Sequence, residues 1–440
     1  MATDGRRGCA GTVAVMDTLV RTDGNAWLSD PVECGSAAGF GVYLHVPFCH
    51  HRCGYCDFAT AAVGEQGHQD REALFERYVR ALTADLARQV AAGPRAHAPA
   101  DAEVADGWPR VTSVFVGGGT PTLLPPPLLR RVLAAVRTEL DVAADAEITV
   151  ECNPETAGEQ LFATLAGAGV TRLSMGAQSF ASHVLARLER GHTASQPLEA
   201  AAEARAAGIP AVSLDLIYGT PGESEADWRD TLERAVAADV EHISAYALTV
   251  HDNTPFGRRV AEGSLPSPDD DVQADRFELA RELLGAAGFD HYEVSNFAGR
   301  PEQRSRHNLL YWRHGDYLGV GVGAHAHLAG RRWWSTRSTE RYLQAVESAE
   351  GDASSRSGRG RGSSPVSGAE VLDPAQRAEE RLLLGLRVRE GLHPDDLPPI
   401  RREALAQVVE LGLVETTAGR LRCTDRGWFL LDAAVERLLD

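Results

Sequence analysis

Lysine is missing altogether from this 440-residue chain, and all 44 of its Lys-plus-Arg positions are arginine. Its absence excludes a P-loop lysine, a Schiff-base lysine and a lysine general base. A GC-rich coding sequence, which also favours Ala, Arg and Gly, accounts for the bias itself. Positive charge is scarce overall: 44 basic against 62 acidic residues leave a formal charge of -18, which argues against a nucleic-acid binder held by phosphate contacts. No apolar run approaches the roughly 20 residues of a membrane helix, and no signal-peptide core precedes a small-residue cleavage site. The seven cysteines are an odd number, and three of them fall between positions 49 and 56. That is not how a disulfide framework is spaced, so the expected setting is a reducing cytoplasm, where clustered cysteines read as metal ligands or redox groups.

What is present is ordinary for a globular protein, with 43% hydrophobic and 24% charged residues and length for two or three domains. Residues 1–40 read as a loosely ordered extension. From 41 onward, apolar or alternating runs at 42–46, 111–116, 147–151, 172–175, 212–217 and 242–248 are interleaved with helical patterns at 72–90, 128–140, 159–168, 197–207 and 226–238. Repeated strand-then-helix units predict a parallel sheet with its chemistry at the strand C-termini. Six units over 41–250 suggest an open or partial barrel. Residues 251–350, rich in aromatics and histidine, read as a barrel-closing region that holds a ligand site. The Gly/Ser/Arg stretch at 351–370 reads as a disordered linker. In 371–440, helices at 375–389 and 403–411, a hairpin at 413–423 and a helix at 426–439 suggest a small winged-helix-like α+β domain.

The segment GVYLHVPFCHHRCGYCDF sets Cys49, Cys53 and Cys56 in a C-x3-C-x2-C pattern after the first strand. Three thiolates on one short loop can hold three irons of a [4Fe-4S] cluster and leave the fourth open. A structural zinc is the competing reading, with His45, His50 or His51 as the fourth ligand. Cys9, Cys34, Cys152 and Cys423 read as ordinary thiols. Beyond the loop, Gly117-Gly118-Gly119-Thr120 ends the second strand, where glycines allow close backbone approach and present N–H groups to a ligand carboxylate. Asp215 lies within an apolar strand and needs a partner or ligand, a structural pair with Arg190 being one solution. Glu155, Arg172 and Arg205 read as fold-supporting or surface charges.

The loop resembles that of the radical S-adenosylmethionine (SAM) superfamily, and residues 41–345 resemble the group that contains oxygen-independent coproporphyrinogen III oxidase and the haem chaperones. The resemblance implies a radical SAM partial (β/α)6 barrel with the C-terminal domain appended. It also implies that SAM chelates the open iron and is contacted by Tyr43, Tyr55, Gly118, Gly119, Thr120, Glu151, Gln178, Arg190 and Asp215. Two features separate the branches. The oxidase carries a further cysteine two positions after the third ligand, where this chain has Phe58. The run His307-Asn308-Leu309-Leu310-Tyr311-Trp312 is typical of the chaperone branch and implies haem at His307, between the apolar faces of Tyr311 and Trp312. His325 and His327 are further candidate ligands. Segments 246–252 and 292–296 also resemble the family, without a defined role.

The leading expectation is a haem chaperone that binds a [4Fe-4S] cluster, SAM and haem and passes haem to acceptor apoproteins, some at the membrane. An electron donor, a homodimer and no nucleic acid are the partners implied. The alternative is the oxidase itself, which would use a deoxyadenosyl radical for decarboxylation. A third is radical chemistry on an unrelated substrate.

Overall fold

The computed structural model describes residues 39–64, 66–354 and 364–439. Its strands, in chain order, are β1 (Phe40–Val46), β2 (Phe48–Cys49), β3 (Ala61–Ala62), β4 (Val111–Gly118), β5 (Val142–Cys152), β6 (Arg172–Gln178), β7 (Ala211–Tyr218), β8 (His242–Ala247), β9 (Asp290–Glu293), β10 (Asn296–Ala298), β11 (Asp316–Val320), β12 (His325–Leu328), β13 (Arg331–Ser335), β14 (Val366–Val371), β15 (Val414–Thr417) and β16 (Arg420–Cys423). Twelve of them form one sheet in the order β14-β13-β12-β11-β1-β4-β5-β6-β7-β8-β10-β9. The six strands expected at 41–250 run parallel, and β11 joins them as a seventh beside β1, pairing Phe40 with Asp316 through Leu44 with Val320.

Parallel strands covered on both faces read as near-continuous apolar runs. β1 is such a strand, with Phe40, Val42, Leu44 and Val46 buried on one face and Gly41 and His45 on the other. The helices that cover the outer face are amphipathic, as Pro126–Glu139 illustrates by burying Leu129, Val132, Leu133 and Val136 at helical spacing. Helix Glu225–Ala237 starts at a capping box, in which the Ser224 hydroxyl accepts from the Asp227 N–H and the Asp227 carboxylate accepts from the Ser224 N–H. Because every crossover returns the chain to the same end, Val46, Gly118, Cys152, Gln178, Tyr218 and Ala247 all finish at one edge of the sheet.

Two expectations change. The strands of 251–350 do not close a barrel. β9 and β10 extend one side of the sheet and β11 to β13 the other, so the pairing order remains open at both ends. The segment expected to be a linker over 351–370 is shorter than that. Helix Thr339–Ser354 runs into it, and Val366–Val371 is strand β14, paired with β13 from Ser335↔Val366 to Arg331↔Val371. Polar, Gly-rich composition did not prevent this because the ladder uses backbone groups. A Cβ at Gly368 would meet the Trp334 ring at 2.3 Å, so glycine here is what lets the indole lie across the strand. Residues 355–363, like 1–38, lie outside the described residues.

After β14 come helices Pro374–Gly385 and Arg402–Glu410, the β15–β16 hairpin and helix Leu431–Leu439. Leu382, Leu386, Leu405 and Leu421 of this unit belong to the same apolar core as the sheet. Among the described residues no helix is long and apolar enough to cross a membrane.

Candidate functional site

A cavity of about 510 Å³ opens at the C-terminal edge of the parallel strands, lined by the cysteine loop, the ends of β4 to β8 and Asn308. The loop is held from both sides. β2 pairs with β3, the N–H groups of Ala61, Val63 and Gly64 bond to the carbonyls of Pro47, Cys49 and His50, and a Cys56 N–H to Cys53 carbonyl bond of 3.2 Å makes its turn. Cys49, Cys53 and Cys56 are each partly buried. Burial pushes the Cys49 thiol up to about 12, against a weak Thr120 hydroxyl contact at 3.9 Å, and burial likewise raises Cys56. Cys56 and Cys53 add to the rise at Cys49, and Cys53 to that at Cys56. Three clustered thiolates in such a place need bound cationic metal to be stable. The donor set therefore fits an iron-sulfur cluster.

It fits zinc poorly. Both nitrogens of His45 are engaged, by the Tyr43 hydroxyl and the Ala59 carbonyl, each at 2.9 Å. His51 Nε2 lies 2.8 Å from the Glu189 carbonyl. Among the described residues no three His, Cys, Asp or Glu side chains are gathered for a single ion, whereas tetrahedral zinc wants four donors at about 2.0 to 2.3 Å.

The facing wall carries the acidic and amide groups. Glu151 Oε2 accepts the Gly118 N–H at 2.8 Å, and burial, reinforced by Asp215, lifts its carboxyl to about 7. Asp215 accepts from the Ser174 hydroxyl at 2.9 Å and from Ser213 at 3.3 Å, and burial raises it too. Arg190 does not pair with Asp215. Its NH2 donates to the Gly176 carbonyl at 2.9 Å, its NH1 faces Cys53 Sγ at 3.6 Å, and its buried Nε has no partner. Gln178 reaches the cavity from a left-handed backbone, φ 64°, a conformation that costs about 1 kcal/mol in a non-glycine residue.

Several expected roles are corrected. The N–H groups of Gly118, Gly119 and Thr120 are used internally, by Glu151, the Val46 carbonyl and the Phe48 carbonyl, so none is turned to a ligand carboxylate. Close approach is the real reason for glycine at 119, where a Cβ would meet the Phe48 and Pro47 carbonyl oxygens at 2.7 and 2.8 Å. Tyr55 lines the cavity, whereas Tyr43 does not and spends its hydroxyl on His45. Arg172 takes the fold-supporting of its two expected roles, not the surface one. It is 4% exposed inside the sheet, donates to His242 Nδ1 at 3.1 Å, and leaves a buried Nε unpartnered beside the cavity.

His307 lies inside the fold. Helix Arg306–Trp312 packs against β1 and β4, and Ser305 caps it by accepting the Asn308 N–H. His307 is 1% exposed, with Nδ1 2.9 Å from Ser113 Oγ, Nε2 2.9 Å from the Tyr311 hydroxyl, and its ring stacked on Phe115. Burial drives its pKa to about 3. A ring with both nitrogens bonded and no exposure is not an iron ligand in this conformation. Tyr311 is turned onto His307 and Tyr317, and Trp312 packs with Leu309 and Val388. His327 is sealed against Asp316 at 3.0 Å, and His325 stacks on Trp334 of the neighbouring strand β13. Residues that went unassigned do line the cavity, namely Ser174, Ser244, Tyr246, His251 and Asn308. Alternation along β6 and β8 could have marked the two serines. Nothing in the sequence separated Asn308 from its neighbour His307.

Comparison with known proteins gives the family and the fold. The family model for the Radical SAM superfamily matches residues 43–235, and that for the HemN C-terminal domain matches 372–430. A Mycobacterium tuberculosis protein named "Heme chaperone HemW" is 43% identical over 400 residues, 91% of this chain and 95% of that one. The Danio rerio "Radical S-adenosyl methionine domain-containing protein 1, mitochondrial" is 32% identical over 417 residues, covering 90% and 86%. The structure of coproporphyrinogen III oxidase (HemN) from Escherichia coli superposes with a TM-score of 0.72 at 21% identity, over 91% of this chain and 89% of that one, which shows the shared fold.

Proposed function

The chain belongs to the haem chaperone HemW family of the radical SAM superfamily, and from that premise we propose that it binds a [4Fe-4S] cluster, SAM and haem and delivers the haem to acceptor apoproteins. The observation that carries the reading is the cavity itself. Three thiols on one loop face carboxylate and amide groups across a space large enough for a cofactor-sized ligand. Cys49, Cys53 and Cys56 would hold the cluster. Glu151, Gln178, Arg190 and Asp215 would hold SAM, with Tyr55 against one side and Gly118, Gly119 and Thr120 forming the floor. Cluster and SAM together supply one-electron cleavage of the sulfonium when reduced. The protein's own contribution is to orient. Asp215 is fixed by two serines, Glu151 by one backbone N–H, and Arg190 sets a positive charge beside Cys53. Phe58, where the oxidase branch has cysteine, favours transfer over decarboxylation.

The deciding experiment uses anaerobic, cluster-reconstituted protein. Haem titration followed by transfer to an apo-haemoprotein is expected to give stoichiometric uptake and release. Incubation with SAM, reductant and coproporphyrinogen III is expected to give no protoporphyrinogen IX. Formation of that product would overturn the chaperone reading.

A further inference from the structure

A chain of buried side chains runs from the cavity to the helix Arg306–Trp312. Asp215 lines the cavity from β7. The helix carries the run that implies haem, and its His307 is closed off in this conformation. For haem to be held there the helix has to shift, so what fixes its start matters. Two groups do so. The Glu147 carboxylate on β5 accepts the Arg306 and His307 N–H groups at 2.8 and 3.1 Å. The Tyr292 hydroxyl oxygen on β9 accepts the Ser305 N–H at 3.0 Å. From Tyr292 the bonds lead back to the cavity. His242 Nε2 is 2.9 Å from the same oxygen, His242 Nδ1 is 2.8 Å from Ser213 Oγ, and Ser213 Oγ is 3.3 Å from Asp215 Oδ1. Ser213, His242, Tyr292 and Ser305 are each at most 1% exposed, so water does not compete for these bonds.

One neighbour decides where the protons lie. Arg172 NH2 is 3.1 Å from His242 Nδ1, and a guanidinium only donates, so Nδ1 is an acceptor. Burial holds the ring neutral, which puts its one proton on Nε2, donated to the Tyr292 oxygen. Ser213 then has a single hydroxyl proton and two acceptors within reach, Asp215 and His242. A ligand hydroxyl that donates to Asp215 takes the place of Ser213 there and frees that proton for His242. Resting on the haem-chaperone reading, we propose that Ser213, His242 and Tyr292 are positioning residues, through which SAM bound at Asp215 sets the start of helix Arg306–Trp312 and with it the affinity for haem. Linkage makes the effect mutual, so haem alters the affinity for SAM by the same factor.

The test measures SAM and haem affinity of the cluster-reconstituted, unreduced full chain, each ligand alone and with the other saturating. In wild type, SAM is expected to change the dissociation constant for haem by about fivefold or more, and haem that for SAM by the same factor. Ser213→Ala cuts the chain at the cavity end while Ser174 still bonds Asp215, and Tyr292→Phe cuts it at the helix end. Each is expected to bring the factor to within about twofold of one. A residue with only a structural role would lower stability or either affinity and leave the factor standing. An undiminished factor in either variant, or a wild-type factor of one, would overturn the assignment while leaving the chaperone reading intact. A wild-type protein that takes up no haem would overturn both.

Discussion

Two regions along the same parallel sheet each offer histidine and aromatic side chains, and they behave oppositely. At the inner end His307, Tyr311 and Phe115 satisfy one another, with both imidazole nitrogens bonded and the ring sealed. At the mouth, His251, Phe58 and Tyr246 are exposed, and His251 Nε2 lies 3.9 Å from Asp57 Oδ2. The residue types are nearly the same. What separates a structural cluster from a candidate ligand site is where the hydrogen bonds go and whether a ligand can arrive.

The contrast can be broken most severely at the cluster. Replacing any one of Cys49, Cys53 and Cys56 by serine is expected to abolish the iron-sulfur absorbance, and a variant that kept full iron content would remove the mouth's claim to chemistry. Next comes His307→Ala, which empties a buried, doubly bonded position and should cost about 4 kcal/mol in denaturant unfolding of the apoprotein. Loss of haem affinity without loss of stability would make His307 a ligand and not a structural residue. Glu293 sharpens the comparison further. It is fully buried beside Trp312, and burial lifts it to about 7 against the lowering contacts of the Ser295 N–H, Asn296 and Trp312. Its folded pKa is above the unfolded value near 4.5, so its contribution to stability is complete below that value and lost as pH rises through about 7. Glu293→Gln should therefore flatten the stability profile between pH 5 and 8, gaining on the order of 3 kcal/mol over wild type at the alkaline end. An unchanged profile would mean that the inner end is less dry than its contacts imply. The smallest effect belongs to Gln178→Gly, which should relieve about 1 kcal/mol of backbone cost while weakening SAM binding. A stabilised variant with undiminished SAM affinity would remove Gln178 from the ligand shell.

Much of this was legible in the residues. The six parallel strands and the helices between them follow from apolar period and spacing, and the cysteine loop from its pattern. The C-terminal order of helix, helix, hairpin and helix was equally readable. What was not legible depended on direction. Sequence places His307 and Asn308 side by side, but a helix turns them about 100° apart, and only Asn308 faces the cavity. Sequence shows a glycine run but not that its N–H groups are already taken. Arg172 looked like any of 44 arginines until the sheet enclosed it. Strand β14 escaped because Val366–Val371 follows directly on a Gly/Ser/Arg run, and its pairing with β13 runs through the backbone.

That edge strand also acts as a clasp. Five Cα pairs hold Val366–Val371 to β13, the Val294 N–H bonds the Arg387 carbonyl, and the Arg389 N–H bonds the Tyr292 carbonyl. The C-terminal unit is thus fastened to the sheet at both of its edges, independently of the chain that joins it to helix Thr339–Ser354. A single protease cut within 355–363 should leave one particle that runs as two bands only after denaturation.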